Sequence, residues 1–255
     1  MHLPDGSGRL LFVSKGTLFA APFDPATLAP AGNAVPVLEN LQHNPAMGAS
    51  YAVSSSGALL CLRDGGVSWV LRLVRFGATG RPEPLHPAPG TYFTPKLSPD
   101  GKRVAFSQGT AVGFDIWVKD MERDTVSRLS FLRGNNHSPM WTPDGRHIVF
   151  RSAEHSANGL YWIRSDGSNT PHRLTDGTAD EVPYSFSPDG TRLALYRRGE
   201  AGSMDVATAK LEGDPDRPKL GSPEVFVGTA DAETAPAFSP DGKWIAYLST
   251  ESGRA

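Results

Sequence analysis

The chain of 255 residues has one cysteine, almost no net charge and no long apolar run. A single cysteine, Cys61, excludes an intramolecular disulfide and any metal site that needs several thiolates. The 25 basic and 27 acidic residues leave no positive excess of the kind that phosphate binding requires, so we expect no nucleic-acid partner. No apolar run approaches the ~18 residues of a membrane span, and we expect no membrane insertion by this chain. The N-terminal residues lack the basic start and apolar stretch of a signal peptide.

Glycine and proline, by contrast, are abundant, with 27 and 22 residues spread along the whole chain, which indicates many turns. Many of them belong to one repeated motif, in which Ser/Thr-Pro-Asp-Gly is followed by a basic or polar residue and an apolar triplet. Four near copies occupy Ser98–Phe106, Thr142–Phe150, Ser187–Leu195 and Ser239–Tyr247. A degenerate copy lies at Ser54–Leu62, and a sixth, with two extra residues in its turn, opens the chain at Leu3–Val13.

The spacing of these copies predicts the fold. The glycines before the apolar runs are separated by 49, 44, 44, 45 and 52 residues, and each repeat contains four strand-like segments. A period near 44 is typical of a four-stranded propeller blade. We therefore predict an all-β fold, a β-propeller of four-stranded antiparallel blades with about five complete blades and a partial sixth. It forms a single domain, 1–255, with repeats near 1–44, 45–90, 91–134, 135–178, 179–230 and an incomplete 231–255. Whether the ends close the ring, or the chain is a piece of a longer one, stays open.

The repeated motif also predicts the geometry of its turn. Proline at the second position pre-sets φ, and a glycine in the left-handed region closes a type I turn between two strands. We expect the aspartates to accept hydrogen bonds from local backbone amides. A calcium-binding role is the alternative, but calcium needs several converging oxygens and each turn offers one carboxylate. The predicted structural turn residues are Asp100, Gly101, Asp144, Gly145, Asp189, Gly190, Asp241 and Gly242.

Three further groups of residues carry predictions. We expect His147 and His172 to face solvent from strands, and the acidic stretch between Glu200 and Asp216 to form a solvated loop inserted in the fifth repeat. A role of that stretch in partner recognition is the alternative. The large aromatic side chains are predicted to pack between blades, with a stacking platform for sugars or bases as the alternative. They are Phe106, Trp117, Trp141, Phe150, Trp162, Phe186, Phe238 and Trp244.

Four residues at the starts of the innermost strands are the candidate binding site. Phe93, His137, Glu181 and Thr234 occupy what the repeats predict to be equivalent places, with one residue inserted in the fifth repeat. Innermost strands line the channel of a propeller, so a ligand or partner segment would meet these residues first. The alternative is that they only hydrate a polar channel. A carboxylate and an imidazole on one rim could do acid–base work. Nothing in the sequence shows that they converge, so we predict no catalytic residue, no metal site and no cofactor.

These motifs resemble those of a known family. The turns, together with the third and fourth strands of the repeats, resemble the WD-like repeats of TolB-type bacterial propellers, most strongly over Thr91–Ser249. The N-terminal segment Gly8–Asp24 is similar to propellers attached to bacterial serine/threonine kinases. The third- and fourth-strand segments that carry the resemblance are Asp115–Val118, Leu160–Ile163, Arg128–Ser130 and Arg173–Thr175.

The resemblance implies a non-catalytic module that recognises a protein or peptide at the propeller rim. It implies further that the module is the sensory or interaction part of a larger bacterial protein such as a kinase, on the extracytoplasmic side of a membrane or in the periplasm. The kinase Gly-rich loop, HRD and DFG motifs are absent from the sequence, as is the Gly-x-Ser-x-Gly elbow of hydrolases. Two alternatives remain: the gating propeller of a prolyl oligopeptidase-type peptidase, and a propeller hydrolase such as a lactonase.

Overall fold

A computed structural model describes residues 8–24, 26–41, 43–44, 48–49, 51–53, 59–62, 73–76, 82–85, 90–154, 157–175, 180–199 and 202–252. Within these ranges the regular structure is all strand. The described residues include no helix that is long and apolar enough to cross a membrane.

The N-terminal strands form two sheets and a short hairpin between them. Blade 1 comprises β1 to β4, and blade 2 comprises β7 to β10, while β5 pairs with β6. In blade 1, β1 is an edge strand that pairs with β2, so no described strand occupies the innermost position. The ranges are β1 (Gly8–Ser14), β2 (Thr17–Asp24), β3 (Ala29–Pro30), β4 (Val35–Leu38), β5 (His43–Asn44), β6 (Gly48–Ala49), β7 (Tyr51–Val53), β8 (Leu59–Leu62), β9 (Leu73–Phe76) and β10 (Pro82–Pro84).

The next two blades are regular four-stranded antiparallel units. Blade 3 comprises β11 to β14 and blade 4 comprises β15 to β18, and a single parallel pair between Phe114 and Asn135 joins them. Their strands are β11 (Tyr92–Leu97), β12 (Arg103–Thr110), β13 (Gly113–Asp120), β14 (Thr125–Arg128), β15 (Asn135–Trp141), β16 (His147–Glu154), β17 (Ala157–Arg164) and β18 (His172–Arg173).

The C-terminal strands form one elaborated blade and the beginning of another. In blade 5, β21 pairs with β20 and β23 and also extends into a hairpin with β22, whereas blade 6 has two described strands. The strands are β19 (Glu181–Phe186), β20 (Arg192–Arg198), β21 (Met204–Asp214), β22 (Arg217–Leu220), β23 (Glu224–Val227), β24 (Glu233–Phe238) and β25 (Ile245–Ser249). The all-β propeller architecture predicted from the repeats is confirmed.

The hydrophobic core is divided into clusters that lie between consecutive blades. Ile116 of blade 3 packs with Phe150 of blade 4, and Leu160 of blade 4 packs with Leu195 of blade 5. Two further clusters join blade 2 to blade 3 and blade 1 to blade 2. Blades 2, 3 and 4 therefore have both faces covered by neighbouring blades, which removes apolar area from water at these interfaces. The predicted packing role of the aromatic side chains is confirmed for Phe106, Trp141, Phe150, Trp162 and Phe186. It is wrong for Trp244, which is 54% exposed on the two-stranded blade 6.

The four Ser/Thr-Pro-Asp-Gly turns have the predicted geometry. Gly101, Gly145, Gly190 and Gly242 have φ between 68° and 73°. In the first of these turns, Asp100 Oδ1 accepts hydrogen bonds from the Ser98 hydroxyl, 2.5 Å away, and from the Lys102 amide, 3.0 Å away. The equivalent bonds recur in the turns of Asp144, Asp189 and Asp241.

Consecutive turns also touch one another. A Cβ built on Gly145 would lie 3.5 Å from Cδ of Pro99 in the preceding turn, and one built on Gly190 would lie 3.6 Å from Cδ of Pro143. For Gly242 and Pro188 the same distance is 3.3 Å. The turns of blades 3 to 6 thus form a continuous row at one end of the propeller, with the proline of each turn next to the glycine of the following one.

The expectations for His147 and for the acidic stretch need correction. His147 is 2% exposed, because it stacks on Trp162 and its Nε2 lies 2.8 Å from Asp216 Oδ1. Asp205 is part of β21, and the acidic residues Glu212 to Asp216 belong to the β21–β22 hairpin rather than to a loop. Arg164 also donates to Asp216 Oδ1 at 3.0 Å. Ion pairs therefore hold this hairpin against blade 4. Glu200 lies outside the described residues.

Candidate functional site

The candidate site lies where the first strands of the blades begin. The first strands β11, β15, β19 and β24 contact one another in succession, so they surround the propeller axis. Phe93, His137, Glu181 and Thr234 all lie at the starting ends of these strands, which we call the channel mouth. Phe93 and His137 are partly exposed, whereas Glu181 and Thr234 are 5% and 7% exposed.

The local backbone at the mouth is distorted in a repeated way. Each first strand contains a one-residue β-bulge immediately after its starting residues. In three blades the bulge holds a residue with positive φ before a proline: Thr94 at 47°, Ser138 at 57° and Ala235 at 53°. A residue before proline normally adopts an extended conformation, so these positions are strained. Bulges of this kind redirect side chains at strand ends.

The equivalence predicted for Glu181 is wrong by one position. Phe93, His137 and Thr234 pair with Ser107, Arg151 and Leu248, each of which lies six residues after its turn glycine. In blade 5 the residue that pairs at this place is Val182, opposite Tyr196. No residue is inserted here: Pro183 occupies the place of the bulge residue that precedes proline in the other blades, which made the sequence look shifted.

Glu181 instead occupies the place of Tyr92, Asn136 and Glu233. These residues pair one position further along the second strand, and all four are buried. Asn136 donates to Asp115 Oδ1 of the preceding blade, 3.3 Å away. By register, Glu181 therefore belongs to the interface with blade 4 rather than to the channel wall.

A hydrogen-bonded network links blades 4 and 5 at the mouth. Arg151 donates through Nε and Nη2 to Asp180 Oδ1, at 2.9 and 2.6 Å. Arg151 Nη1 lies 2.6 Å from His137 Nε2. A guanidinium only donates, so Nε2 is the unprotonated ring nitrogen of neutral His137. Its Nδ1 then carries the proton and donates to the Ser138 hydroxyl, 3.0 Å away.

The electrostatics keep this imidazole neutral. Burial, and after it the positive charge of Arg151, lower the pKa of His137 from 6.5 to about 4, although Asp180 opposes the shift. A neutral imidazole is a hydrogen-bonding group without charge at physiological pH. His137 at the mouth is thus oriented by its neighbours.

Glu181 has a different environment. Burial raises the pKa of its carboxyl, and Asp180 adds to the shift, while the positive charges of Arg197 and Arg173 oppose it. Neither arginine forms an ion pair with it, and among the described residues the carboxylate has no hydrogen-bond donor. A desolvated carboxyl without a donor favours the protonated form.

The remaining mouth residues are the aromatic Phe93 and the buried Thr234. The ring of Phe93 packs edge-on against Phe114, with their centroids 5.3 Å apart. Phe114 lies at the start of β13, so the aromatic pair extends the mouth toward the outer part of blade 3. Thr234 is buried opposite Leu248. The mouth therefore combines an aromatic edge on one side with an ion-paired imidazole on the other.

Sequence reasoning missed Arg151 and Asp180. A signal for Arg151 was present, because it sits six residues after the turn glycine, in the second strand opposite the start of the first. The pairing of antiparallel strands places such residues side by side. Asp180 had no comparable signal, since it precedes β19 and reaches Arg151 across a blade boundary.

The described part of the chain contains no group of three or more His, Cys, Asp or Glu side chains that could hold a metal ion. At the mouth, Arg151 pairs with His137 within blade 4 and with Asp180 across the boundary to blade 5.

Comparison with known proteins places the fold in a family. The model of the TolB beta propeller domain matches residues 72–220, which is more than half of the chain. The chain belongs to this family. The match begins in blade 2 and ends in the β21–β22 hairpin, so it covers both blades that carry the Arg151 network.

Three similar proteins illustrate the range of the family fold. An uncharacterized protein of Agrobacterium fabrum is 27% identical over 263 residues, covering 96% of this chain and 82% of the relative. The crystal structure of TolB from Acinetobacter baumannii superposes with a TM-score of 0.72 at 20% identity, covering 96% of this chain and 61% of that one. The uncharacterized peptidase YuxL of Bacillus subtilis is 28% identical over 196 residues, which is 60% of this chain and 28% of the peptidase.

Proposed function

We propose that this chain is a non-catalytic binding module that holds a peptide segment of a partner protein at the channel mouth. The observation that carries the proposal is the pre-oriented network of His137, Arg151 and Asp180. The side chains of Arg151 and Asp180 are 13% and 23% exposed, so they stay open to solvent although they are already ordered. Groups ordered in advance lose little freedom when a ligand binds, which favours affinity.

The chemistry of the mouth suits a peptide. A neutral imidazole and an arginine–carboxylate pair can exchange hydrogen bonds with main-chain amides, and the Phe93–Phe114 edge can contact an apolar side chain. Aromatic and arginine side chains contribute most strongly to protein interfaces. The TolB family membership supports an interaction role for the propeller.

Peptide binding is tested with sequences selected from a displayed random library on the wild-type chain. Their affinity is then measured by fluorescence anisotropy for Phe93→Ala, His137→Ala and the control Arg123→Ala. Arg123 is exposed in the turn that follows β13, at the opposite end of the blade from the mouth. We expect the two mouth variants to bind at least about tenfold more weakly, which corresponds to ~1.4 kcal/mol, and the control to bind like the wild type. Equal affinity for all four proteins would refute binding at the mouth.

We further propose that the module is part of a larger bacterial protein such as a serine/threonine kinase, on the extracytoplasmic side of its membrane. The support is the similarity of the Gly8–Asp24 segment, which forms β1 and β2, to propellers attached to such kinases. An antibody raised against the β21–β22 hairpin tests this on source-cell lysate. A band well above the 27.3 kDa of this chain supports the proposal, and a band at that mass contradicts it.

A second candidate function is gating of substrate access to a hydrolase domain outside this sequence. The similarity to the Bacillus subtilis peptidase, over 60% of this chain, favours it. In this case the channel would pass a peptide rather than hold it. Selected peptides would then bind weakly, and substitution of mouth residues would change the size range of peptides that the complete enzyme cleaves. A lactonase-type activity has no comparable support.

A further inference from the structure

A separate cavity lies at the other end of the channel, next to the turns. Its volume is about 320 Å³, and it is formed between blades 2, 3 and 4. Strand β11 connects the two places, because Phe93 near its start belongs to the mouth whereas Leu97 at its end borders this cavity. The residues that line it are Val53, Lys96, Leu97, Ser98, Pro99, Met140 and Trp141.

Lys96 is the only charged side chain in this lining, and it has no counter-ion among the described residues. The residue is partly buried. Among the described residues no carboxylate lies within ion-pair distance of its ammonium, and no group there accepts a hydrogen bond from it. Burial lowers the pKa of this ammonium. A cation removed from water without a partner costs free energy, and an anion in the cavity would offset that cost.

The neighbouring polar groups are already committed. The Ser98 hydroxyl donates to Asp100 Oδ1 at 2.5 Å, and Asp100 Oδ1 also accepts from the Lys102 amide. Trp141 Nε1 donates to the Lys96 carbonyl oxygen at 3.0 Å, which fixes the indole beside the lysine. The lining therefore presents one free cationic group surrounded by apolar and aromatic walls.

Packing does not demand a lysine at this place. Lys96 pairs with Ala105, and the residue at the equivalent position of blade 4 is Met140, which pairs with Val149. In blade 5 the position is Ser185 and in blade 6 it is Ala237. A side chain of similar length and no charge thus fits the same backbone one blade later.

We propose that this cavity binds the carboxylate of an apolar acid, with the Lys96 ammonium as its counter-ion and the apolar lining around its hydrocarbon part. The carboxylate can belong to a small free acid or to the C-terminus of a peptide that ends in an apolar residue. The volume lies at the lower end of the range of small-molecule sites, which matches one short branched side chain with its carboxylate. This site is independent of peptide binding at the mouth.

The indole of Trp141 provides a direct readout. The chain has five tryptophans, and the Trp141 indole signal in a ¹H–¹⁵N spectrum can be assigned with Trp141→Phe. We expect 4-methylpentanoate to shift this signal saturably, and the uncharged 4-methylpentanamide to bind at least about tenfold more weakly. This comparison uses the wild-type protein, so it does not depend on the folding of any variant.

Two substitutions locate the charge. Lys96→Met, which introduces the residue found at the equivalent position of blade 4, should weaken 4-methylpentanoate binding at least about tenfold and abolish the preference for acid over amide. Lys102→Met, at an exposed turn position whose side chain is 56% exposed, should leave both the affinity and the preference unchanged.

Peptides ending in leucine, with a free or an amidated C-terminus, distinguish the two sources of the carboxylate. Tighter binding of the free-acid peptide than of 4-methylpentanoate assigns the site to C-termini, and the reverse assigns it to small acids. Equal binding of acid and amide, full binding by Lys96→Met, or no saturation at millimolar concentration would overturn the proposal.

Discussion

The interface between blades 3 and 4 and the interface between blades 4 and 5 each bury a carboxylate, but they surround it with different partners. In the first, Asp115 on the third strand accepts hydrogen bonds from Ser130 and Asn136 and forms a 2.8 Å ion pair with Arg128. In the second, the place of Asp115 is taken by Gly159, and the carboxylate sits at Glu181, the place of Asn136.

The fourth strands of the two interfaces are nevertheless alike. Arg173 corresponds to Arg128, and the Thr175 hydroxyl accepts from the Leu160 amide as the Ser130 hydroxyl accepts from the Ile116 amide. What differs is the satisfaction of the carboxylate: Asp115 has three direct partners, whereas Glu181 has none among the residues that the structure describes. The first interface therefore satisfies its buried carboxylate with three partners, whereas Glu181 at the second has only the longer-range charges of Arg197 and Arg173 among the described residues.

The largest expected effect is the loss of Asp115. Asp115→Ala removes the carboxylate that Arg128, Ser130 and Asn136 share in a buried interface, and we expect the unfolding free energy to fall by about 3 kcal/mol. Denaturant titration monitored by tryptophan fluorescence measures the change. Glu181→Ala is the matched control at the other interface, and a similar loss there would show that the two carboxylates play the same role.

A pH dependence should distinguish the mouth end of the blade 4–5 interface. The pKa of His137 is about 4 when folded, below its ordinary 6.5, so the unfolded chain takes up a proton first as the pH falls. The contribution of this residue is present above pH ~6.5 and is lost as the pH falls toward ~4, by about 3 kcal/mol.

The measurement compares wild type with His137→Gln by denaturant titration at several pH values between these limits. The stability difference between the two proteins should shrink by that amount over the window. A difference that does not vary with pH would show that burial and the charge of Arg151 do not hold His137 neutral in the folded protein.

Glu181→Gln should stabilise the protein by about 1 kcal/mol at neutral pH, because it removes a buried charge that has no direct partner in the part of the chain that the structure describes. The folded pKa of Glu181 is raised above the ordinary 4.5, so the folded state binds this proton more tightly. The associated stability is present below pH ~4.5 and is lost as the pH rises through the folded pKa. The advantage of the glutamine variant should therefore vanish in acid, as checked by denaturant titration near pH 4 and pH 7.

The smallest expected effect tests whether the positions of the blade 4–5 interface are equivalent to those of the blade 3–4 interface. Gly159→Asp together with Glu181→Asn transfers the arrangement of the first interface to the second, with Arg173 in the role of Arg128. A Cβ on Gly159 would meet the flexible end of Arg173 at 2.8 Å, which that side chain can relieve by a small shift. In a double-mutant cycle we expect a favourable coupling of about 1 kcal/mol. Additive single effects would contradict the correspondence.

The repeated motif predicted the architecture because its physics is local. Proline, aspartate and a glycine at positive φ define each turn within four residues, and the period then places the strands. The contacts between blades are harder to predict from the sequence, because they join groups that are far apart in the chain. Nothing near Asp216 in the sequence indicates that it reaches His147, 69 residues away.

In the candidate site, too, the features that depend on the local repeat were predicted and those that depend on contacts between strands or blades were not. That Phe93 and His137 start first strands followed from the repeat, but the position of Glu181 was misjudged because Pro183 takes the place of a bulge residue in blade 5. In the other blades the proline comes one residue after that place. Counting back from the proline therefore gave Glu181, whereas the strand register gives Val182. The Arg151 network depends on pairing across blades, which no local pattern encodes.

The row of turns at the end opposite the mouth bears on how such a chain arises. In blades 3 to 5 the proline of each turn lies next to the glycine of the following turn. A duplicated gene segment of one period would therefore encode a unit already complementary to both of its new neighbours. Growth or shrinkage of the molecule by whole blades requires no compensating substitutions at this row, whereas the individual ion networks between blades must be rebuilt by selection each time.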